Sequence, residues 1–142
     1  MMKKTEKLPY EYDALGVKGS TKNVFFPKSI SELKSITKMS PQICIRGGGS
    51  GLAGAATPLG DIVIDTSKLN HIGKLDLDRK TIEVEAGVIL NDLQDYLEKY
   101  NLEFPVKPSS YTICTIGGMI ATDAVGNRAM KYGKTSKWVR WI

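Results

Sequence analysis

One stretch constrains the fold of this chain more than any other: Gln42-Ile43-Cys44-Ile45-Arg46-Gly47-Gly48-Gly49-Ser50-Gly51-Leu52-Ala53-Gly54. A short apolar run, the pattern of a buried strand, leads straight into a loop with five glycines in eight residues, Gly47 to Gly54. Without Cβ atoms, the backbone of such a loop can approach a ligand closely. Successive N–H groups pointing the same way form an anion-binding nest. The stretch therefore reads as a cradle for a phosphate or diphosphate. A glycine-rich hairpin without a ligand is the plain alternative, because an isolated glycine motif is weak evidence.

Gly49-Ser50-Gly51-Leu52-Ala53-Gly54 also spells G-x-G-x-x-G. A dinucleotide-binding fingerprint needs a helix to open at that loop, inside a βαβ unit, with an acidic residue further on. Here Thr57-Pro58-Leu59-Gly60-Asp61 breaks the chain, and an apolar run, Ile62-Val63-Ile64-Asp65, follows at once. No helix fits, so the loop joins strand to strand. A Walker loop is excluded because no Gly-Lys-Ser/Thr follows.

Around this loop the order of elements can be read from periodicity. Residues 1–22 are polar and Lys-rich and read as an N-terminal surface segment, with partial disorder as the alternative. Asn23–Phe26 reads as a strand stopped by Pro27. Ser29 and Glu32 have the spacing of a capping box, and Ile30, Leu33, Ile36 and Thr37 fall on one face of a helix over 30–39. Strand, helix, strand, glycine loop, strand makes a βαβ unit with parallel pairing, extended by Ile62–Asp65. The character then changes. Residues 75–78 and 81–87 alternate around Arg79-Lys80, as in a hairpin with one buried face. Residues 88–100 carry apolar positions at helical spacing, with Asn91 as the cap or the helix starting a residue or two earlier. The domain boundaries expected are 1–22 for the surface segment and 23–142 for one incomplete domain, itself divided into 23–70 and 71–142.

A second loop, Pro108 to Asp123, is rich in hydroxyls and small residues and carries Gly117-Gly118. A short helix over 116–124 would present free N–H groups and a positive dipole end to an anion. From Ala124 to Ile142 there is no acidic residue, while Arg128, Lys131, Lys134, Lys137 and Arg140 are basic. That run is either a solvated face or a meeting place for a phosphate or a partner. Lys137-Trp138-Val139-Arg140-Trp141-Ile142 reads as the opening of a strand, hence a truncated chain or one completed by another.

The 142 residues carry 20 basic and 15 acidic side chains, a net charge of +5. This suits an anionic ligand, and no nucleic-acid-binding signature accompanies it. With one histidine, His71, and two distant cysteines, Cys44 and Cys114, a metal site has little support. The cysteines read as buried thiols of a cytoplasmic protein, with a disulfide as the alternative. No signal peptide or membrane-spanning run is evident.

Together these residues resemble a known family. Arg46-Gly47-Gly48-Gly49-Ser50-Gly51-Leu52-Ala53-Gly54 is similar to the diphosphate loop of the vanillyl-alcohol-oxidase type (PCMH-type) FAD-binding domain. Pro108-Ser109-Ser110, Cys114-Thr115-Ile116-Gly117-Gly118 and Lys131-Tyr132-Gly133-Lys134-Thr135 resemble its second cofactor segment. Tyr12-Asp13-Ala14 and Val24-Phe25-Phe26-Pro27 resemble its N-terminal pattern, and the nearest subgroup is that of glycolate oxidase and D-lactate dehydrogenase.

The resemblance implies an α+β fold: a small βαββ subdomain, part of an antiparallel sheet with helices, and FAD between them. It implies non-covalent FAD, because Ser50 stands where members with a histidyl-linked flavin carry His. Its implied cofactor residues are Arg46, Gly47, Gly48, Gly49, Ser50, Gly51 and Leu52 in the first loop. In the second segment they are Pro108, Ser109, Thr115, Gly117, Gly118, Thr122 and Asp123. Local turn bonding is the alternative for Ser109 and Thr115, and a simple strand-end cation is the alternative for Arg46. Gly-Gly-Met at 117–119, Asp123-Ala124-Val125-Gly126 and Lys107 depart from the family pattern. The implied function is the FAD-binding portion of an oxidoreductase acting on a 2-hydroxy acid such as glycolate or D-lactate. A non-catalytic flavin-binding or partner-dependent subunit is the alternative. The substrate domain and the catalytic residues of the family lie downstream of these segments, so no catalytic residue is assigned.

Overall fold

The computed structural model describes residues 4–60 and 62–142. The chain divides into two compact units, 1–69 and 70–142, each with its own buried side chains.

The first unit opens with a short helix, α1 (Lys4–Lys7), and a 3₁₀ turn over Leu8–Tyr10. Its sheet contains β1 (Asn23–Phe25), β2 (Ile43–Arg46) and β3 (Ile62–Asp65), with the helix α2 (Ile30–Ile36) between β1 and β2. All pairings are parallel, and the order across the sheet is β1-β3-β2. Val24 and Cys44 both face Val63 in register, and Arg46 is opposite Asp65.

Thus β3 does not extend the sheet at one side; it fills the gap between β1 and β2, which are not neighbours. The reason lies in its sequence. Ile62-Val63-Ile64 is an unbroken β-branched run, the pattern of a strand covered on both faces, and Val63 and Ile64 are fully buried. By contrast β2 leaves Ile45 exposed, as an edge strand can.

The helix α2 starts as its sequence predicts. Ser29 Oγ accepts from the Glu32 N–H at 3.2 Å. The Glu32 carboxylate reaches back one residue further than the usual box and accepts from the Lys28 N–H at 2.7 Å. The helix ends at Ile36, not at residue 39. Lys38 and Met39 donate to the carbonyls of Ser35 and Ile36 instead, a tightened exit ahead of Pro41.

The second unit pairs β4 (Ile72–Asp76) with β5 (Thr81–Val84) in an antiparallel hairpin, with an irregularity between Ile72 and Leu75. The strand β4 begins earlier than the alternation from Leu75 suggests. Lys80 closes the turn at φ 51°. Three helices follow: α3 (Leu90–Glu98), α4 (Ile116–Ala121) and α5 (Ala129–Tyr132). Leu90, Leu93 and Leu97 form the buried face of α3. They pack with Leu75, Val88, Val106, Cys114, Ile116 and Met119 into one core. Each fully buried Leu of this kind is worth about 1.5–3 kcal/mol.

Asn91 does not cap α3. Ile89 occupies the N-cap position, without a side-chain bond. The first helix amides donate across the chain instead: Leu90 N–H to Cys114 O at 3.0 Å and Asn91 N–H to Tyr111 O at 3.1 Å. The segment read as an opening strand, 137–142, is not one. Thr135–Trp138 is a 3₁₀ turn, and residues 139–142 have no regular structure. Trp138 Nε1 donates to Tyr132 O at 3.0 Å, and its ring packs edge-on against Phe104 and Tyr132, which turns the chain where a strand would run on. Cys44 and Cys114 are free thiols. Among the described residues no helix is long and apolar enough to cross a membrane, and no cluster of potential metal ligands occurs.

Candidate functional site: a glycine loop with unpaired amides

The strand β2 ends at Arg46, and residues 47–60 return the chain towards the start of β3 through bends and turns, without a helix. Gly49 and Gly54 take φ 63° and 75°, which side chains with a Cβ rarely adopt. From Gly47 to Ala53 no backbone N–H has a hydrogen-bond acceptor among the described residues. Backbone donors in folded proteins are ordinarily paired. A consecutive run of free donors on a half-exposed loop is therefore completed by solvent or by an anion. The position of a Cβ on Gly51 has nothing within 4 Å, so the loop is open on that side. Ser50 is half-buried beside it, and Leu52 is exposed. The loop thus offers a run of free backbone donors, and that donor set fits a diphosphate.

Arg46 stands at the root of the loop, engaged with protein. Its Nη1 donates to Tyr12 O at 2.7 Å and to Ala56 O at 3.2 Å. The guanidinium carbon lies 5.8 Å from the Tyr10 ring centroid, and a Cβ on Gly49 would collide with the guanidinium. The N-terminal segment thus does more than cover a surface. Ala14 N–H donates to Gly49 O at 3.0 Å, and Ser20 N–H to Pro58 O at 2.9 Å. Asp13 is buried; its Oδ1 accepts from the Leu15 N–H at 2.9 Å. Its Oδ2, like Thr57 Oγ1, has no partner among the described residues. Burial raises the Cys44 thiol pKa, with Arg46 opposing and Asp13 adding. Burial also raises the Tyr10 phenol, helped by Asp65 and opposed by Arg46.

In the second unit, Pro108 and Ser109 line a shallow cleft of about 270 Å³ with Lys107, Tyr111, Asn127 and Arg128. The Lys107 ammonium sits 4.0 Å from the Tyr111 ring centroid, and Arg128 is held by both carboxylate oxygens of Glu103 at 2.9 and 2.8 Å. The free donors expected at the N-terminus of α4 are not there. Ile116 N–H donates to Val88 O at 2.8 Å and Gly117 N–H to Ala86 O at 2.9 Å. Gly118 N–H donates to Thr115 Oγ1 at 3.2 Å, so the Thr115 hydroxyl is the helix cap. What Gly117 contributes is the absence of a side chain: a Cβ would lie 2.7 Å from the Ala86 Cβ.

Thr122 Oγ1 donates to Gly118 O at 2.9 Å. Asp123, at φ 46°, accepts from the Ser136 N–H at 3.0 Å and pairs with Lys134 at 3.4 Å. These contacts lower its pKa, the Ser136 backbone bond most of all. The structure therefore gathers Arg46 to Leu52 on one loop, and Pro108 and Ser109 at one cleft. Thr115, Gly117, Gly118, Thr122 and Asp123 are engaged in the local structure of α4 and its exit. Sequence reasoning missed Tyr10, Tyr12 and Asp13 as supports of the loop. The only signal was Tyr12-Asp13-Ala14 as a family pattern, because a bond between residues 34 positions apart leaves no local periodicity.

The chain is 38% identical over 118 residues to D-lactate dehydrogenase of Archaeoglobus fulgidus, covering 80% of this chain and 26% of that protein. It is 34% identical over 139 residues to glycolate oxidase subunit GlcD of Bacillus subtilis, covering 94% of this chain and 30% of that subunit. It is 36% identical over 123 residues to D-2-hydroxyglutarate dehydrogenase of Escherichia coli, covering 82% of this chain and 12% of that protein. Among solved structures it resembles alkyldihydroxyacetonephosphate synthase, with TM-score 0.73 and 25% identity, covering 80% of this chain and 23% of that one. The chain thus spans under a third of the length of each of these relatives. The FAD binding domain family matches residues 21–142, from just before β1 through both loops. The strand-to-strand glycine loop and this match agree: the chain belongs to the PCMH-type FAD-binding domain family, and its cofactor is FAD.

Proposed function

We propose that this chain is the FAD-binding portion of a flavin-dependent dehydrogenase acting on a small 2-hydroxy acid. The observation that carries the reading is the run of backbone donors from Gly47 to Ala53 without acceptors among the described residues, on a loop open at Gly51. In this reading Gly47, Gly48, Gly49, Ser50, Gly51 and Leu52 hold the diphosphate through their backbone amides. Pro108 and Ser109 approach the flavin end, and Thr115, Gly117, Gly118, Thr122 and Asp123 shape that second segment. The substrate class comes from the relatives, whose names are those of enzymes of D-lactate, glycolate and D-2-hydroxyglutarate.

Bound FAD supplies the two-electron acceptor, and the protein binds and orients it. The attachment is non-covalent, because Ser50 stands at the loop position where family members with a histidyl-linked flavin carry His. The substrate-binding part is supplied by further chain or by another subunit, since the relatives are several times longer. The two free thiols favour a cytoplasmic location. The same short span of the relatives supports a second reading, a flavin-binding subunit without activity of its own.

Titration of the chain with FAD tests the proposal. The wild type is expected to retain yellow flavin that denaturation releases. Gly51→Val should keep the circular dichroism of the wild type, because its side chain enters open space, and lose FAD affinity by tenfold or more, roughly the scale of a lost charge-assisted bond or two. Unchanged affinity in Gly51→Val would remove the loop from the cofactor site.

A further inference from the structure

We infer that Arg46 is a positioning residue. Its guanidinium latches the N-terminal segment to the glycine loop and sets the loop's geometry for FAD, without binding the diphosphate itself. This rests on the proposal that the loop holds the diphosphate.

The contacts of Arg46 define a latch. One nitrogen, Nη1, bridges Tyr12 O in the N-terminal segment and Ala56 O on the far limb of the loop. The planar group lies over Tyr10 and fills the space against Gly49 where a Cβ would stand. Gly49 itself is tied to the same segment by the Ala14 N–H. The root, crown and return limb of the loop therefore converge on residues 10–14 through one side chain and one backbone bond.

The local electrostatics match. The Arg46 guanidinium sits against two carbonyl oxygens, and Asp65 is opposite Arg46 in the sheet register. The amides from Gly47 to Ala53 have no acceptor among the described residues. A guanidinium suits this role because it is a rigid planar fork that stays charged; an ammonium is a single point on a flexible stem.

Two variants and one measurement on the unmodified chain test the inference. Arg46→Lys and Arg46→Met should each weaken FAD binding by about tenfold, the scale of one charge-assisted hydrogen bond. The dependence of FAD affinity on salt should stay that of the wild type in both, because no phosphate contact is lost. Near-wild-type affinity in Arg46→Lys, with a flattened salt dependence in Arg46→Met, would make Arg46 a direct diphosphate ligand and overturn the latch. Wild-type affinity in both variants overturns it as well.

Should either variant fail to fold, hydrogen exchange on the wild type decides. FAD should slow exchange of the amides of Ala14, Gly19 and Ser20 together with those of the loop. Slowing confined to 47–53 would overturn the coupling. Loss of FAD by Gly51→Val with no effect of Arg46 substitution would sink the latch alone. No effect of any of the three substitutions would sink the cradle as well.

Discussion

Glycines that look alike in the sequence do different work in the structure, and this separates the two loops residue by residue. Gly51 faces open space, whereas Gly117 is packed so that a Cβ would lie 2.7 Å from the Ala86 Cβ and 2.8 Å from the Ala86 carbonyl oxygen. Backbone cannot yield as a flexible side chain can. Gly117→Ala should therefore lower the stability of the chain by about 1–3 kcal/mol, the usual cost of overpacking. Urea denaturation measures it, and a midpoint equal to that of the wild type would show that α4 can shift away from residue 86 freely. Gly51→Ala, with no neighbour to meet, should leave the midpoint unchanged. The sequence made both glycine segments candidates for anion contact through their N–H groups. Among the described residues the first loop keeps its donors free, whereas the amides of 116–118 have acceptors supplied by Val88, Ala86 and the hydroxyl of Thr115. Acceptors 28 to 31 positions away (116 to 88, 117 to 86) cannot be read from spacing.

At the scale of elements, local chemistry was legible and tertiary order was not. The N-cap at Ser29 and the apolar face of α3 follow from residues a turn apart, and both stand. The central place of β3 depends on which of three parallel strands is buried on both faces, and Ile62-Val63-Ile64 carried that signal without revealing its neighbours. The end of the chain misled for a different reason. Trp138, Val139, Trp141 and Ile142 have strand propensity, but Thr135–Trp138 is bound into a 3₁₀ turn by contacts with the exit of α4. Thr135 is buried, with its N–H and Oγ1 both donating to Ala124 O, and Asp123 holds Ser136 and Lys134. This clasp gives a pH test. The Asp123 pKa is lowered from the ordinary value of 3.8. A depressed folded-state value means that the carboxylate's contribution is fully present above the ordinary value and fades as pH falls through the lower one. The Ser136 amide resonance should accordingly titrate only below pH 3.8. Asp123→Asn should abolish that titration while keeping an acceptor. A Ser136 resonance that is flat in acid, or that titrates above this value, would show that the clasp is not formed in solution.

For the whole molecule, the decisive fact is the mismatch between what the chain holds and what its relatives span. It matches the FAD binding domain over residues 21–142, yet it covers 26% and 30% of the lactate and glycolate relatives. Oxidation of a 2-hydroxy acid needs more than an acceptor: a base must take the hydroxyl proton, and the substrate must be held against the flavin. The first unit commits its charged groups near the loop to its own scaffold, through Arg46 and the buried Asp13. In the second, Arg128 is paired with Glu103, Lys134 with Asp123, and the one histidine lies exposed with its backbone N–H bonded to Glu85. A net charge of +5 favours the approach of an anionic cofactor, but a diffuse field does not position a substrate. The FAD-loaded chain, mixed anaerobically with D-lactate or glycolate, should therefore keep its oxidised flavin spectrum over hours, while dithionite bleaches it at once. The dithionite control matters, because it shows that the bound flavin is accessible to electrons. Bleaching by D-lactate faster than that of free FAD would place a substrate site within these 142 residues. The reading of the chain as a cofactor-holding part would then give way to that of a self-sufficient dehydrogenase.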